Sequence, residues 1–268
     1  QIRPPLIAAG INLFGGALGL IQRHVTGAIP IRRNTKDPAY LVTLKAYVAE
    51  ILKKQDLFFY PEGGRSYSGE LKPFKTGLIH SALTADCPKV VLMPAAIAYD
   101  LVLEDHILAR QRTKKQQRPF ARELAEMVRY AVGYRSRAFV TFGAPIEVDQ
   151  RAMESRSEAL ELTRLVRAKI GVLYKVLPTA VFAAAMRPSI GRRDLEGRID
   201  RLLGELAARH ANLGVSSGRE AIEEAAEPLE TRGIIVAERG RFRVRERNVL
   251  RYYSRTIEHL HTPPGRAH

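Results

Sequence analysis

The stretch that decides the fold covers residues 57–66 and reads Leu57-Phe58-Phe59-Tyr60-Pro61-Glu62-Gly63-Gly64-Arg65-Ser66. A short apolar run, typical of a strand, leads into a glycine-rich turn and then into a cation. Glycines let backbone N–H groups approach an anion, and the guanidinium of Arg65 can hold two phosphate oxygens at once. Lys72 and Lys75 follow closely in the chain. The pattern therefore predicts a phosphate site, and a tight turn with a surface arginine is the alternative.

Two further strand-like runs lie on either side of this stretch. Upstream, the run Gly27-Ala28-Ile29-Pro30-Ile31-Arg32-Arg33 ends in paired cations. Downstream, the run Val91-Leu92-Met93-Pro94-Ala95-Ala96-Ile97 contains a proline. We expect Arg32, Arg33 and Arg65, at the ends of neighbouring strands, to converge on one phosphate.

The first 150 residues alternate β-rich runs with helical stretches. Candidate strands cover residues 27–31, 57–60, 90–99 and 138–142, and candidate helices cover residues 39–54 and 77–84. Such alternation is typical of an α/β domain. The sequence thus predicts a mixed, mostly parallel sheet flanked by helices.

The remainder of the chain is richer in helix-forming residues. Amphipathic or helix-forming stretches cover residues 157–173, 195–210 and 219–232, and a last helix covers about residues 248–261. Between the last two of these, Ile234-Ile235-Val236-Ala237 and Arg241-Phe242-Arg243-Val244 flank Glu238-Arg239-Gly240, a short connection typical of a hairpin. We therefore divide the chain into a domain of residues 1–150 and a C-terminal, mainly helical region of residues 151–268.

Composition favours a folded domain that binds anionic partners. Hydrophobic residues make up 46% of the chain and the formal net charge is +15. Cys87 is the single cysteine, so an internal disulfide framework is excluded. The apolar runs of residues 6–21 and 172–186 are too short for a membrane-spanning helix. Nine basic and two acidic residues lie within residues 109–137, which is either a solvated helix face or a dock for anionic lipid, CoA phosphates or an acidic carrier protein.

Taken in order, the three blocks resemble the glycerol-3-phosphate acyltransferase family, within the wider group of phospholipid and glycerol acyltransferases. The likeness covers about residues 4–148. Ile7-Ala8-Ala9-Gly10-Ile11-Asn12-Leu13 is similar to the segment that follows the family's first block, and residues 248–253 and 257–260 look like its C-terminal region. The resemblance implies an α/β acyltransferase domain in residues 1–150.

The resemblance also implies roles for individual residues. Arg32 and Arg33 would bind the glycerol phosphate, and Pro94 would shape the acyl-donor side. The acceptor-binding block would comprise Glu62, Gly63, Gly64, Arg65 and Ser66, with Lys75 beside it.

The implied reaction moves a fatty acyl group to the sn-1 hydroxyl of glycerol 3-phosphate, the first step of phospholipid synthesis. Acyl-CoA or acyl-carrier protein would be the co-substrate, and no cofactor or metal is implied. A base must take the hydroxyl proton while donors stabilise the oxyanion, and a clamped phosphate holds the acceptor still. We expect the protein to lie peripherally on the cytoplasmic face of an anionic membrane, and we expect no nucleic-acid partner.

The family's base is the histidine of a His-x4-Asp block, and this sequence has no such block. His24 is followed five positions later by Ile29, and His80 is followed by Ala85. The block would precede the segment that begins at Ile7, so we expect the catalytic His and Asp upstream of Gln1. The domain of residues 1–150 would then be incomplete at its N-terminus, and this chain would be inactive by itself.

Three other readings remain open. One is a 1-acylglycerol-3-phosphate (lysophosphatidic acid) acyltransferase, and another is a non-catalytic module that binds lipid phosphates. The third is nucleic-acid binding through a winged-helix-like C-terminal region with a basic hairpin. Five acidic residues between Glu220 and Glu230 argue against it, because a recognition helix needs cations there.

Overall fold

The computed structural model describes residues 4–11, 25, 27–32, 35–64, 66–83, 85, 87, 89–111, 136–148 and 156–261. The described residues fall into two compact units. The first lies within residues 1–65, 72–94 and 144–168, and the second within residues 66–71, 95–143 and 169–268. Each unit thus combines segments that are distant in sequence. The division at residue 150 stays a prediction.

The first unit contains a three-stranded parallel sheet. Strand β1 (Leu6–Gly10) lies in the middle, between β2 (Ala28–Ile31) and β3 (Leu57–Phe59). In the register, Ala8 is level with Ile29 of β2 and with Phe59 of β3. All three strands run in the same direction and therefore end at the same edge. Strands β2 and β3 lie where the sequence predicts them, whereas β1 lies in the apolar run of residues 6–21, for which no strand was predicted.

Two helices follow these strands in the first unit, α1 (Pro38–Leu52) after β2 and α2 (Gly77–Leu83) after β3. The Asp37 side chain caps α1 by accepting hydrogen bonds from the backbone N–H groups of Ala39 and Tyr40, at 3.0 and 3.4 Å. Pro38, at the first helical position, has no backbone N–H and so needs no hydrogen-bond acceptor there. The cap fixes where α1 begins and so sets the position of Tyr40 near the end of β2.

A proline divides the long strand predicted over residues 90–99. Strand β4 (Val90–Leu92) pairs antiparallel with β7 (Ile146–Val148) in the first unit. Strand β5 (Ala95–Tyr99) pairs antiparallel with β6 (Ala138–Phe142) in the second unit. Pro94 lies between them, and it has no N–H with which to continue a ladder. One predicted strand is therefore two strands with different partners.

The second unit is mainly helical. After α3 (Asp105–Gln111), its elements are the end of α4 (Arg156–Leu173), β8 (Lys175–Val176), α5 (Pro178–Ala185), β9 (Ser189–Gly191), α6 (Arg192–Ala208), β10 (Asn212–Leu213), α7 (Gly218–Thr231), β11 (Ile235–Glu238), β12 (Arg241–Val244), α8 (Arg247–Arg255) and α9 (Glu258–His261). The hairpin and the last helices follow the order predicted from the sequence. The single predicted last helix is divided into α8 and α9.

The elements from α5 to β12 have the topology of a winged helix. The β11–β12 hairpin takes up β9 as a third strand, so that β12 is central and all pairing is antiparallel. Helices α5, α6 and α7 cover the buried face of this small sheet with apolar side chains. Shared topology does not establish a shared function, because function depends on the surface residues.

One hydrophobic core holds this part of the second unit together. Side chains that are at most 5% exposed come from every helix of the winged-helix part and from α8, among them Phe182, Leu195, Ile222, Phe242 and Tyr253. The Phe182 and Phe242 rings meet edge to face, with centroids 5.4 Å apart. The core thus fixes the hairpin on the helices.

The fold is α/β, as the sequence predicts, with parallel pairing in the first sheet and a C-terminal part that is mainly helical. The pairs β4–β7 and β5–β6 are antiparallel, so the fold contains both kinds of strand pairing. Among the helices in the described part of the chain, none has the length and apolar character to cross a membrane.

Candidate functional site

Two of the predicted cation-bearing segments lie at one edge of the parallel sheet. Arg32 directly follows the end of β2, and Tyr60 and Pro61 directly follow the end of β3. Strand β1 lies between them, so the two strands are not direct neighbours as the sequence analysis expected. Because hydrogen-bonded strands are about 4.8 Å apart, the two strand ends are roughly 10 Å apart. A small anion at this edge would be within reach of extended cationic side chains from both segments.

Arg32 is held at its backbone and faces solvent. Its backbone N–H donates to the Tyr40 hydroxyl at 2.9 Å, and its guanidinium lies 5.5 Å from the centre of the Tyr40 ring. The contact between the guanidinium and the ring face is favourable and orients the arginine. Helix α1 therefore positions this cation through Tyr40, a residue that the sequence analysis did not select. Arg33 and Arg65 lie outside the described residues.

The glycine-rich turn is closed by backbone hydrogen bonds. The Gly63 N–H donates to the Tyr60 carbonyl at 3.0 Å, and the Lys75 N–H donates to the Pro61 carbonyl at 2.8 Å. Gly63 has a φ of +68°, a conformation that favours glycine. The Lys75 side chain lies across it, because a Cβ on Gly63 would stand 2.8 Å from Lys75 Cδ and 3.2 Å from Nζ. The structure thus brings together the predicted pair Gly63 and Lys75, with Gly64 next in the chain.

Glu62 connects the two ends of the loop that contains this turn. Its Oε2 accepts a hydrogen bond from the Lys72 N–H at 3.1 Å, and the Arg167 side chain donates to the Lys72 carbonyl at 3.1 Å. Burial raises the pKa of Glu62 above its ordinary value, opposed by this N–H donor and by the charges of Lys72 and Arg167. Glu62 therefore braces the loop, and Arg167 adds a second contact from helix α4.

The segment that follows the turn, residues 66–71, belongs to the second unit and is held by helix α8. The Ser66 hydroxyl donates to the Glu70 carbonyl at 2.8 Å, and the Glu70 carboxylate forms an ion pair with Arg255. Gly69 has a φ of +84° and lies so close to the Tyr252 carbonyl that a Cβ would stand 2.1 Å from its oxygen. The residues of α8 resemble the family's C-terminal region, but the sequence does not predict this contact.

The remaining predicted residues have simpler surroundings. Pro94 is buried at the break between β4 and β5. His80 is half-buried on α2, and the His259 Nε2 lies 3.0 Å from the Gly171 carbonyl. Within the described ranges, no three His, Cys, Asp or Glu side chains are grouped so that they could hold a metal ion. Among the described residues, the candidate site consists of the cations Arg32 and Lys75 beside a glycine turn, and cations attract an anion.

Comparison with known proteins relates this chain to acyltransferases. Residues 1–98 match the family described as Acyltransferase. A Mycobacterium tuberculosis protein assigned as the acyltransferase plsB1 is 32% identical over 200 residues, which are 69% of this chain and 32% of that protein. Glycerol-3-phosphate acyltransferases of Aeromonas hydrophila and Pseudoalteromonas translucida are 36% and 34% identical over 155 and 160 residues, 54% and 55% of this chain. The aligned part is 19% of each of those two proteins, so the chain spans at most about a third of these relatives.

Proposed function

We propose, from the membership of residues 1–98 in the acyltransferase family, that this chain is the acceptor-binding part of a glycerol-3-phosphate O-acyltransferase. The enzyme would transfer a fatty acyl group from acyl-CoA or acyl-carrier protein to the sn-1 hydroxyl of glycerol 3-phosphate. The observation that carries the proposal is the shared sheet edge at which Arg32 and the turn around Gly63 both lie. Two relatives are named glycerol-3-phosphate acyltransferases, which supports this acceptor.

The acceptor phosphate would lie at this edge, between the strand ends. The turn of Gly63 and Gly64 would let the backbone approach the phosphate, with Arg32, Arg33, Arg65 and Lys75 as cations around it. The Gly63 N–H itself is not available to the phosphate, because it donates to the Tyr60 carbonyl. Glu62 would keep the loop in shape by holding the Lys72 N–H. Fixing the phosphate fixes the glycerol hydroxyl, and such positioning can lower a reaction barrier by several kcal/mol, roughly 7–11 at the upper limit.

The acyl-transfer step also needs a base for the attacking hydroxyl. The family's base is a histidine with an aspartate five positions later, and no histidine of this sequence has one. We therefore assign the base to residues outside this sequence and expect no turnover by this chain alone. Pro94, which ends β4 and so fixes where β5 begins, would shape the side of the site that receives the acyl donor.

The product of this reaction is a lipid, so the enzyme would work at a membrane. The formal net charge of +15 favours the anionic cytoplasmic face of the bilayer. We propose peripheral attachment there, with an anionic lipid surface as the partner and without nucleic acid.

The test is an acyl-transfer assay on this chain and on a version extended upstream by the sequence that precedes it in its gene. The extended version should acylate glycerol 3-phosphate with either acyl-CoA or acyl-carrier protein as donor, and this chain should not. In the extended version, Arg65→Ala should raise the KM for glycerol 3-phosphate about 10- to 100-fold, because a charged hydrogen bond contributes about 1.5–3 kcal/mol. The matched control is Arg201→Ala, an exposed arginine of α6, which should leave KM unchanged. Turnover by the short chain would refute the assignment of the base.

The runner-up acceptor is 1-acylglycerol 3-phosphate, which carries the same phosphate. Both acceptors should be offered to the extended version in one competition assay. We expect glycerol 3-phosphate to have the higher kcat/KM, and the reverse order would favour a lysophosphatidic acid acyltransferase. Failure with both acceptors would refute the proposed function.

A further inference from the structure

One face of the small sheet in the winged-helix part is covered by arginines. Side chains of a strand alternate between the two faces of its sheet. On β12, Phe242 points into the core and is 5% exposed, while its neighbours Arg241 and Arg243 are exposed on the opposite face. This sheet therefore has a buried apolar face and an outward basic face, which we call the arginine face.

The arginine face extends beyond these two residues. The pairing of Arg243 with Ser189 continues towards the Val244 N–H, which donates to the Pro188 carbonyl at 3.0 Å. Arg245 follows Val244 and Arg187 precedes Pro188, so each adjoins this last contact, and both are exposed. From Arg239 to Arg251 the sequence contains six arginines and a single acid, Glu246. The positive charge is dense and continuous in sequence.

Few carboxylates neutralise the arginine face. Glu238 lies 3.9 Å from Arg243 and is paired with Arg241 in the register. The exposed Asp194 carboxylate also lies beside β9, because a Cβ on Gly191 would stand 3.3 Å from Asp194 Oδ2 and 3.9 Å from an Arg241 guanidinium nitrogen. Next to the sheet, Arg192 of α6 pairs with Glu223 of α7 at 3.9 Å. All of these groups are largely exposed, so the ion pairs are weak and can exchange for another anion. The arginine face keeps a net positive charge.

The type of cation and the lack of apolar contacts define the partner. Arginine holds two phosphate oxygens with its planar fork, whereas lysine acts as a point charge. Between residues 187 and 251, all of which the structure describes, no large hydrophobic side chain is exposed. The surface therefore suits an array of phosphate groups. It would contact them without inserting apolar side chains into a bilayer and without stacking on nucleic-acid bases.

We propose that the arginine face binds the phosphate groups of anionic phospholipids and docks the C-terminal region on a membrane surface. The inference rests on the membrane attachment proposed above, which it locates, and it does not depend on acyl transfer. Nucleic acid has the same phosphate chemistry but fits less well. Helix α7 holds the position of a recognition helix, and it exposes Glu223, Glu224, Glu227 and Glu230, which would repel a DNA backbone.

The test measures binding of the 268-residue chain to phosphatidylglycerol vesicles and to phosphatidylcholine vesicles at low and high salt. The variant is Arg241→Glu with Arg243→Glu, and a milder variant carries glutamine at both positions. The matched control reverses Lys114 and Lys115, in the other basic segment of the sequence, and lowers the formal net charge by the same amount. Circular dichroism and the unfolding midpoint show whether each variant is folded.

The unchanged chain should bind phosphatidylglycerol vesicles, weakly at high salt, and should bind phosphatidylcholine vesicles poorly. Each arginine near an anionic surface strengthens binding about fivefold, so losing two should weaken it about 30-fold or more. The glutamate variant should lose this binding. The glutamine variant, which removes two charges, should bind about 30-fold more weakly than the unchanged chain. The lysine control should bind nearly as the unchanged chain does.

Four results would overturn the inference. If the lysine control loses as much vesicle binding as the arginine variants, net charge is responsible. If only the lysine control loses binding, another surface is responsible. In both cases membrane attachment itself would stand. Absence of binding by the unchanged chain would refute both the membrane attachment and its location. Tighter binding of duplex DNA than of vesicles, lost in the Arg241 and Arg243 variants, would assign the arginine face to nucleic acid instead.

Discussion

The Lys75 side chain lies directly over the Cα of Gly63, at a distance that leaves no room for a Cβ. The closest approach of an added Cβ would be 2.8 Å, to Lys75 Cδ. Gly63 also has a φ of +68°, at which a side chain is strained whatever the space. The lysine stem can move aside, whereas the backbone conformation cannot change without opening the turn. The glycine therefore matters for the shape of the turn more than for the space above it.

Gly63→Ala should lower the free energy of unfolding by about 1–2 kcal/mol, the usual cost of a positive φ for alanine. It should also weaken glycerol 3-phosphate binding in the upstream-extended protein, because the turn and the Lys75 side chain that lies across it would shift. Urea unfolding and the KM for the acceptor measure the two effects.

The control is Gly77→Ala, at the start of α2, where an added Cβ meets nothing within 4 Å. The free energy of unfolding of Gly77→Ala should equal that of the unchanged chain or exceed it by up to about 1 kcal/mol. Equal behaviour of the two alanine variants would show that the turn around Gly63 does not have the conformation described.

The carboxyl of Glu62 should make the stability of the first unit depend on pH. Burial raises its pKa above 4.5, so the folded chain holds this proton more tightly than the unfolded chain. Its contribution to stability is therefore fully present below pH 4.5 and is lost as the pH rises through the folded-state pKa. Glu62→Gln cannot ionise, and its amide oxygen can still accept the hydrogen bond from the Lys72 N–H.

The free energy of unfolding of Glu62→Gln, relative to the unchanged chain, should rise as the pH increases from about 4 to 7. Urea unfolding at several pH values measures this difference. Glu50→Gln, an exposed glutamate whose pKa is lowered by its hydrogen bond with Lys53, should show the opposite sign. A pH-independent difference for Glu62→Gln would contradict the raised pKa.

Gly69 is a stricter position than Gly63, because its neighbour is backbone. An added Cβ would stand 2.1 Å from the Tyr252 carbonyl oxygen, and its φ is +84°. Gly69→Ala should therefore destabilise the chain by roughly 2–5 kcal/mol, the sum of the backbone strain and the overpacking. Gly204→Ala, in the interior of α6 with open space around it, should instead add up to about 1 kcal/mol. Thermal or urea unfolding of both variants measures the contrast.

The sequence predicts the elements whose signals are local. Strand β6 has the predicted bounds, and α1 begins one residue before its predicted start because Asp37 and Pro38 form a cap. The hairpin around Gly240 was predicted from this turn glycine and from the short strand-like segments on either side of the turn. Each of these rests on neighbours within a few positions, and such signals survive in a single sequence.

The elements that depend on distant partners were not predicted. Strand β1, the centre of the parallel sheet, lies in a run of small apolar residues whose strand character comes from pairing with β2 and β3. Pro94 was seen, but only the pairing shows that it divides one run between two partners. For the candidate site, the turn and its cations were predicted from the sequence. The contributions of Tyr40, Arg167 and Tyr252 were not, because they lie 8 or more positions from the groups that they hold.

A buried network in the second unit gives the largest predicted effect on stability. The Asp105 carboxylate is fully buried, accepts from the Tyr253 hydroxyl at 2.6 Å and is held by the Arg232 guanidinium at 2.5 and 3.2 Å. Burial and then the charge of Asp105 raise the pKa of Tyr253 well above its usual range, so the phenol stays protonated and donates. Tyr253→Phe removes the donor to Asp105 and the acceptor of the Val102 N–H, and it should cost about 1–3 kcal/mol. Arg232→Met leaves the buried Asp105 carboxylate without this ion-pair partner and should cost about 3–5 kcal/mol. Urea unfolding measures both, with the exposed Arg201→Met as a control that should change stability by less than about 0.5 kcal/mol. A smaller loss for Arg232→Met than for Tyr253→Phe would contradict the ion pair of Arg232 with Asp105 as the main contribution to this network.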